Sequence, residues 1–285
     1  MSKAKDTHDV AVVGGGAIGL ATALALGQAG IRTILIGAAT AIREDGRTAA
    51  LMQPSIELLN GLGVMDDLAG VSWPLAAIRL IDITGSLIRS PTVTFRASEI
   101  DLPHFALNIS NADIVRVMTE AARTCPNLTV ETRLVSKVAY CADRVELALT
   151  GGDTIVARLV VAADGQKSML REAAGIEVKR WSYDQVALTF HVTHSRDHED
   201  VSVEFHTRSG PLTFVPYGSF KSSVVWLVSQ SEAESLQAAA GGGRTCPAPR
   251  VQPARGSDHR RRHRRRADGG AHRPPCSRRP GGAGR

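Results

Sequence analysis

Two hydrophobic periodicities alternate at the start of the chain. Residues 9–13 (DVAVV) form a short apolar run typical of a buried strand, and residues 17–29 repeat apolar positions at helical spacing. Gly30 is placed to end that helix, and residues 31–36 (IRTILI) form a second apolar run. This order predicts a βαβ unit with parallel strands.

Further periodic segments continue to residue 240. Helices are predicted over four segments: 54–62, 111–124, 168–174 and 231–240. Short strands are predicted over three segments: 134–140, 145–150 and 154–162. Residues 78–84 and 87–95 predict a hairpin that turns at Gly85 and Ser86. Strand-like runs between residues 181 and 229 predict successive antiparallel strands of one sheet.

The pattern therefore predicts an α/β protein with two structured parts. Residues 1–180 are expected to form a Rossmann-like domain, and residues 181–240 are expected to add a mostly antiparallel β-sheet substrate domain. The inserted segment 78–108 is assigned to the second layer.

Composition changes abruptly after Ala240. Residues 241–285 hold 13 Arg, no Lys and two acidic residues, so this segment carries +11 while the first 240 residues carry −5. Of its 45 residues, 33 are Arg, Gly, Pro or Ala. Such a segment cannot bury enough apolar surface to offset the conformational entropy lost on ordering, which predicts a disordered tail. GC-rich codons encode these four amino acids, which favours a shifted reading frame over a nucleic-acid-binding arm. No nucleic-acid partner is expected.

Other features exclude several classes of protein. The sequence has no run of 18 apolar residues and no secretory signal at its start, which predicts a cytoplasmic protein without a membrane-spanning helix. Its four cysteines lack C-x-x-C spacing, so neither a zinc ribbon nor a disulfide framework is predicted. His191 and His194 differ by three positions on a predicted strand and face opposite sides, so no metal site is expected.

The loop GGGAIG carries the first candidate chemistry. It places Gly14, Gly16 and Gly19 at G-x-G-x-x-G spacing between a strand and a helix, as a dinucleotide site requires. The helix start also offers free N–H groups to a pyrophosphate. The predicted site consists of the loop residues Gly14, Gly15, Gly16, Ala17, Ile18 and Gly19. The alternative is a Gly-rich turn in another α/β fold.

One expected partner of a dinucleotide is missing. The second strand should end at an Asp or Glu that binds the ribose hydroxyls, but Gly37 stands there and the next acidic residue is Glu44. Ribose recognition by a side chain at this place is therefore in question.

Residues 160–176 (VVAADGQKSMLREAAGI) resemble the Asp-Gly motif of the class A flavoprotein monooxygenases. In that family the motif serves FAD and NAD(P)H together, which implies roles for Asp164 and Gly165. Arg47 is similar to the family arginine that contacts the flavin. Asn111 matches a position where a polar side chain meets the ribityl or pyrophosphate region. From the residues alone, Arg47 can equally be a surface arginine, Asp164 a turn residue and Asn111 a helix N-cap.

The finer resemblance is to the hydroxylases of ubiquinone biosynthesis. It is carried by phrases that together span most of residues 8–236: RTAALMQPSIELLNGLGV, FALNISNADIVRVM, ADGQKSMLREAAGI, YDQVALTFHVTH, VEFHTRSGPLTFVP and SSVVWLVS. The resemblance implies an FAD- and NAD(P)H-dependent monooxygenase that inserts one atom of O2 into the ring of a lipophilic, polyprenylated phenol. Such a substrate also implies that the enzyme associates peripherally with the inner membrane.

Two alternatives stay open at the level of function. One is a class A hydroxylase of a small soluble phenol, and the other is an inactive product of a truncated or frameshifted gene. The family's last third should add further flavin contacts, and no convincing copy of it is found in the sequence, so coupled hydroxylation by the chain as written is not expected. No side chain is identified as a catalytic acid or base.

Overall fold

The computed structural model describes residues 7–38, 42 and 46–239. Within them the chain forms fifteen strands: β1 (Thr7–Val13), β2 (Thr33–Ile36), β3 (Thr48–Met52), β4 (Ser72–Leu75), β5 (Ala77–Asp82), β6 (Val93–Arg96), β7 (Ala106–Ser110), β8 (Leu128–Glu131), β9 (Val135–Tyr140), β10 (Val145–Leu149), β11 (Thr154–Ala162), β12 (Val186–Thr193), β13 (Val201–His206), β14 (Pro211–Pro216) and β15 (Lys221–Val228). The same residues form six α-helices: α1 (Ala17–Gln28), α2 (Gln53–Gly61), α3 (Met65–Ala69), α4 (Asn111–Thr124), α5 (Met169–Ala173) and α6 (Gln230–Ala239). The predicted disorder of residues 241–285 lies outside the described residues.

The first sheet has the strand order β8-β2-β1-β11-β10-β9. Strand β1 pairs in parallel with both β2 and β11, and β2 pairs in parallel with β8. Strands β10 and β9 extend the sheet in antiparallel fashion. Residues 10–13 of β1 and all of β2 are buried, and all but Thr33 of them are apolar, as is typical of strands covered on both faces of a sheet.

Helices α1 and α4 cover one face of the first sheet. They share a buried core that contains Leu20 and Leu24 of α1 and Ile114 and Met118 of α4. Small residues bring the elements close: a Cβ at Gly27 would lie 2.8 Å from the Sγ of Cys125. A second core on the opposite face joins β1 and β2 to β10, β11 and α5.

A second sheet has the order β12-β15-β14-β13-β5-β6, and a small third sheet has the order β3-β7-β4. All ladders of the second sheet are antiparallel except that between β13 and β5. Helix α6 packs on β12 and β15 through Ala233 and Leu236. Two hydrogen bonds join the second and third sheets: Asn108 Nδ2 donates to the carbonyl of Pro216 (2.8 Å), and Thr48 Oγ1 donates to Ser223 Oγ (3.1 Å).

The structure confirms the α/β class and the second, mostly antiparallel sheet. It confirms the antiparallel pairing of the predicted hairpin and corrects its turn, because β5 ends at Asp82, β6 starts only at Val93, and residues 83–92 form a long loop in place of a turn at Gly85 and Ser86. The strands after residue 181 lie in one sheet, and β13, β14 and β15 are successive antiparallel neighbours as predicted, but β12 pairs with β15 and not with β13. The division into domains at residue 180 stays a prediction.

None of the helices in the described part of the chain is long and apolar enough to cross a membrane.

Candidate cofactor-binding site

The loop after β1 is held in shape by close backbone packing. Gly14 has φ +122°, and a Cβ there would lie 2.2 Å from the carbonyl oxygen of Ala163. A Cβ at Gly15 would lie 2.5 Å from the Gly37 carbonyl, and one at Gly19 would lie 1.8 Å from that of Gly14. These three glycines are therefore required by the loop itself.

Gly16 differs from its neighbours. A Cβ at Gly16 would meet nothing within 4 Å, so the protein leaves open space in front of this residue. Gly16 is exposed, and its extended backbone precedes the first turn of α1. Packing within the protein therefore does not require glycine at this position. The missing side chain does keep the backbone accessible to a ligand.

The N-terminus of α1 carries no side-chain cap. The first intrahelical bond runs from the N–H of Leu20 to the Gly16 carbonyl (2.9 Å), which leaves the N–H groups of Ala17, Ile18 and Gly19 ahead of the helical ladder. Their partial positive charge favours an anion. The exposed Ile18 lies on this first turn.

The Asp-Gly segment meets the glycine loop directly. The N–H of Ala163 donates to the carbonyl of Val13 (2.8 Å), which continues the β1–β11 ladder and brings Asp164 beside Gly14. Asp164 Oδ2 accepts from the Leu170 N–H (3.2 Å), whereas Asp164 Oδ1 is buried and has no hydrogen-bond partner among the described residues. Gly165 follows with φ +87° and is exposed.

Arg47 and Asn111 lie next to each other. The N–H of Asn111 donates to the carbonyl of Arg47 (3.0 Å), beyond the paired residues Thr48 and Ser110 of β3 and β7. The proposed capping role of Asn111 is wrong, because the Oγ of Ser110 accepts from the Asp113 N–H (2.9 Å) and Ser110 is the N-cap. The half-buried side chain of Asn111 is not used for capping.

The parallel strands place these features at one edge. Strands β1, β2 and β11 all end where the glycine loop, Gly37 and Asp164 begin, and helices α1 and α4 both start at this edge. Ligands of open parallel sheets bind outside the carboxyl ends of the strands. The predicted binding residues thus fall into two groups along this edge, one around Gly14 and Asp164 and one around Arg47 and Asn111.

The missing acidic residue after β2 has a physical reason. Gly37 has φ +83°, a conformation that an Asp or Glu rarely adopts. Glu131 ends the neighbouring strand β8, and its carbonyl accepts from the N–H groups of Gly37 (2.9 Å) and Ala38 (3.1 Å). Its carboxylate pairs with Arg133 (2.7 Å), which lowers the pKa of Glu131. Strand β8 was missed from the sequence because it is only four residues long, and Glu44 lies outside the described residues.

The histidines of β12 and the following loop do not assemble a metal site. No group of three or more potential metal ligands exists among the described residues. The ring of His191 instead packs on Tyr217, with 4.3 Å between the ring centroids. Desolvation lowers the pKa of His191, and a hydrogen bond with the backbone of Gly46, next to Arg47, partly opposes this shift.

The residues present fit FAD. The open space at Gly16 and the uncapped start of α1 suit a pyrophosphate, and a buried carboxylate oxygen without a donor suits a hydroxyl group of a nucleotide. An unpaired buried acceptor costs on the order of 1–3 kcal/mol, so a ligand or a water that supplies the donor is favoured at Asp164.

Comparisons with known proteins identify the family and its cofactor. Residues 7–240 match the model of the family described as FAD binding domain. The chain is 31% identical over 223 residues to ubiquinone hydroxylase UbiL of Rhodospirillum rubrum and 31% identical over 238 residues to 3-demethoxyubiquinol 3-hydroxylase of Escherichia coli. These matches cover 76% and 80% of the chain but 51% and 59% of the two relatives, so the chain spans little more than half of their length.

Solved structures show the same fold. A crystal structure of pqsL, a probable FAD-dependent monooxygenase from Pseudomonas aeruginosa, superposes with a TM-score of 0.70 at 20% identity, covering 82% of this chain and 64% of that one. The family model covers most of the chain, and both curated relatives are hydroxylases. The chain therefore belongs to the FAD-binding-domain family, within the class A FAD-dependent hydroxylases that its sequence predicts.

Proposed function

We propose that the chain is the FAD-binding part of an FAD- and NAD(P)H-dependent monooxygenase that hydroxylates the ring of a polyprenylated phenol in ubiquinone biosynthesis. The observation that carries the proposal is the contact between the glycine loop and the Asp-Gly segment, since two motifs about 150 residues apart meet at one edge of the first sheet. The names of the two curated relatives support ubiquinone precursors as the substrate class.

Each proposed binding residue has a distinct role. The N–H groups of Ala17, Ile18 and Gly19 would hold the pyrophosphate, with Gly14, Gly15 and Gly16 keeping the backbone close to it. Asp164 Oδ1 would accept a hydroxyl of the cofactor, and the exposed Gly165 would leave room beside it. Arg47 and Asn111 would bind the part of the cofactor nearer the flavin ring.

Bound FAD would supply the redox chemistry between NAD(P)H, O2 and the phenol. The protein contributes binding, orientation and exclusion of water, and no described side chain is assigned as an acid or base. His191 on β12 is hydrogen-bonded to the Gly46 backbone beside Arg47, which supports a position of the second sheet near the bound flavin.

The proposal is tested in two steps on the purified full chain. FAD is first titrated and its absorbance spectrum recorded, and stoichiometric binding with a perturbed flavin spectrum is expected. NADH or NADPH is then added with a polyprenylated phenol or with para-nitrophenol, a small phenol named in another relative of the chain. Product from the polyprenylated phenol supports the proposal, and product from para-nitrophenol alone favours a hydroxylase of small soluble phenols. Stoichiometric FAD without coupled product favours the inactive truncated product, and failure to bind FAD contradicts the proposed cofactor site.

A further inference from the structure

The loop of residues 83–92, between β5 and β6, projects from the end of the second sheet that is remote from the candidate cofactor site. In the ladder of β13 with β5, Ala77 pairs with Val201 at one end and Asp82 pairs with His206 at the other. The Ala77 end joins the third sheet, because β4 finishes at Leu75. The loop therefore starts at the opposite end, next to the turn that contains Arg208.

Hydrogen bonds fix the base of the 83–92 loop. The carboxylate of Asp82 accepts from the Thr84 N–H (2.9 Å), the Thr84 hydroxyl (2.7 Å) and the Ser90 N–H (3.0 Å). Across the sheet end, Arg208 Nε donates to the carbonyl of Thr84 (2.7 Å). A loop closed in this way presents its tip in a defined direction.

The tip of the 83–92 loop is apolar and extends into solvent. Leu87 has a relative exposure of 102% and Ile88 one of 89%, the two highest among the large hydrophobic side chains of the described residues. Ile83 and Val93, at the two ends of the loop, are also exposed. Single exposed aliphatic residues are ordinary, but an adjacent pair held at a tip with two more behind it indicates an interaction surface.

Two arginines lie close to the apolar tip. Arg89 is the one charged residue in the sequence of the 83–92 loop, and Arg208 lies at its base. The carboxylate of Asp82 accepts hydrogen bonds from the loop backbone at the base, and its charge also interacts with that of Arg89. Glu232 of α6 is engaged by the hydroxyl groups of Ser209 and Ser229 on the other side of the Arg208 turn.

We propose that the 83–92 loop docks the chain onto an anionic phospholipid bilayer. Leu87 and Ile88 insert at the boundary between headgroups and acyl chains, and Arg89 and Arg208 contact lipid phosphates. A protein partner fits less well, because a stable protein interface buries about 800 Å² on each side. Two side chains at the tip of a loop offer a much smaller contact area. The docking goes beyond the proposed hydroxylation and requires neither flavin nor substrate.

The test measures partition of the full chain onto vesicles of phosphatidylcholine, with and without a minority of phosphatidylglycerol. The double variant Leu87→Ser/Ile88→Ser is expected to lower the partition coefficient roughly tenfold or more on both kinds of vesicle, because it removes the inserted apolar surface. Arg89→Gln is expected to lower it about fivefold on vesicles that contain phosphatidylglycerol, with little effect on phosphatidylcholine alone.

A matched control distinguishes binding through the 83–92 loop from nonspecific hydrophobic binding. Ile176→Ser/Val178→Ser removes two other exposed aliphatic side chains. All variants keep the 13 Arg of residues 241–285, so a contribution of that segment to binding is the same in each. The control is expected to bind like the parent chain. Equal binding by the loop variant and the parent, or an equal loss in the control, would overturn the proposal. The proposed hydroxylase function would be unaffected, since no step of this test uses FAD.

Discussion

At the scale of single residues, neighbouring glycines of the first loop have different reasons to be glycine. Gly14, Gly15 and Gly19 are fixed by contacts within the protein, since an added Cβ would lie 1.8–2.5 Å from backbone oxygens. Gly16 is free of such contacts, so packing within the protein does not require glycine there, and we assign its missing side chain to the approach of the pyrophosphate. The same loop therefore separates residues needed for folding from a residue proposed for binding.

Gly16→Val tests this separation. The variant is expected to fold normally, because its Cβ meets nothing within 4 Å, and to bind FAD at least roughly tenfold more weakly, because the side chain occupies the approach to the pyrophosphate. Affinity is measured by flavin titration, and the melting temperature of the FAD-free chain is measured in parallel.

Two further variants serve as controls for Gly16→Val, one for FAD affinity and one for folding. Gly61→Val, at the end of α2, also adds a side chain where nothing lies within 4 Å, and it is expected to leave FAD affinity unchanged. Gly19→Ala is expected to impair folding, because its Cβ would lie 1.8 Å from the Gly14 carbonyl. Unaltered FAD affinity in Gly16→Val would mean that the cofactor does not approach the loop at this residue.

At the scale of elements, strongly periodic segments could be predicted and short or bent ones could not. Helix α4 matches its predicted bounds because its apolar positions recur at helical spacing over fourteen residues. Strands β8 and β4 have four residues each, too few for a period to stand out, and β4 contains Pro74. The first loop was evident from its glycines, but Glu131 depends on the pairing of β8 with β2, which no local pattern encodes.

The loop that connects β5 and β6 depends on the carboxylate of Asp82. Hydrogen bonds from the N–H groups of Thr84 and Ser90 hold the pKa of Asp82 at about 2, below its ordinary value of 3.8. A lowered pKa in the folded state means that the carboxylate stabilises the fold fully above about pH 4 and that this contribution disappears as the pH falls towards 2. Asp82→Asn should therefore lower the melting temperature at neutral pH, with a difference from the parent that narrows below pH 4.

Hydrogen exchange adds a local measurement to that experiment. The amides of Thr84 and Ser90 are expected to lose protection in Asp82→Asn, because their common acceptor is weakened. Glu57→Gln, which removes a carboxylate from the exposed face of α2, serves as the control and should leave both amides protected. A difference in melting temperature that does not change between pH 7 and pH 2 would contradict the role assigned to Asp82.

At the scale of the whole molecule, a buried side-chain hydrogen bond links the second and third sheets. Asn108 is 1% exposed and donates to the Pro216 carbonyl, while its own Oδ1 has no partner among the described residues. Asn108→Ala is expected to lower the free energy of unfolding by about 1–3 kcal/mol, since the buried carbonyl of Pro216 loses its donor. Urea denaturation measures the change, and Asn60→Ala on the exposed side of α2 is the control. If Asn108→Ala lowered the free energy of unfolding by less than Asn60→Ala does, the hydrogen bond to Pro216 would not contribute to joining the two sheets.

The position of β1 between β2 and β11 also sets the order of events on the ribosome. Strand β2 follows β1 within about twenty residues, but β11 is made only after residue 154. At 5–20 residues per second, one edge of β1 stays without its partner for on the order of ten seconds. During that interval the apolar DVAVV strand presents unpaired N–H and C=O groups, the kind of edge on which chains aggregate and chaperones act. The glycine loop, whose packing includes Ala163, cannot take its final shape until β11 has emerged, so nascent chains shorter than about 165 residues should be unable to capture the cofactor.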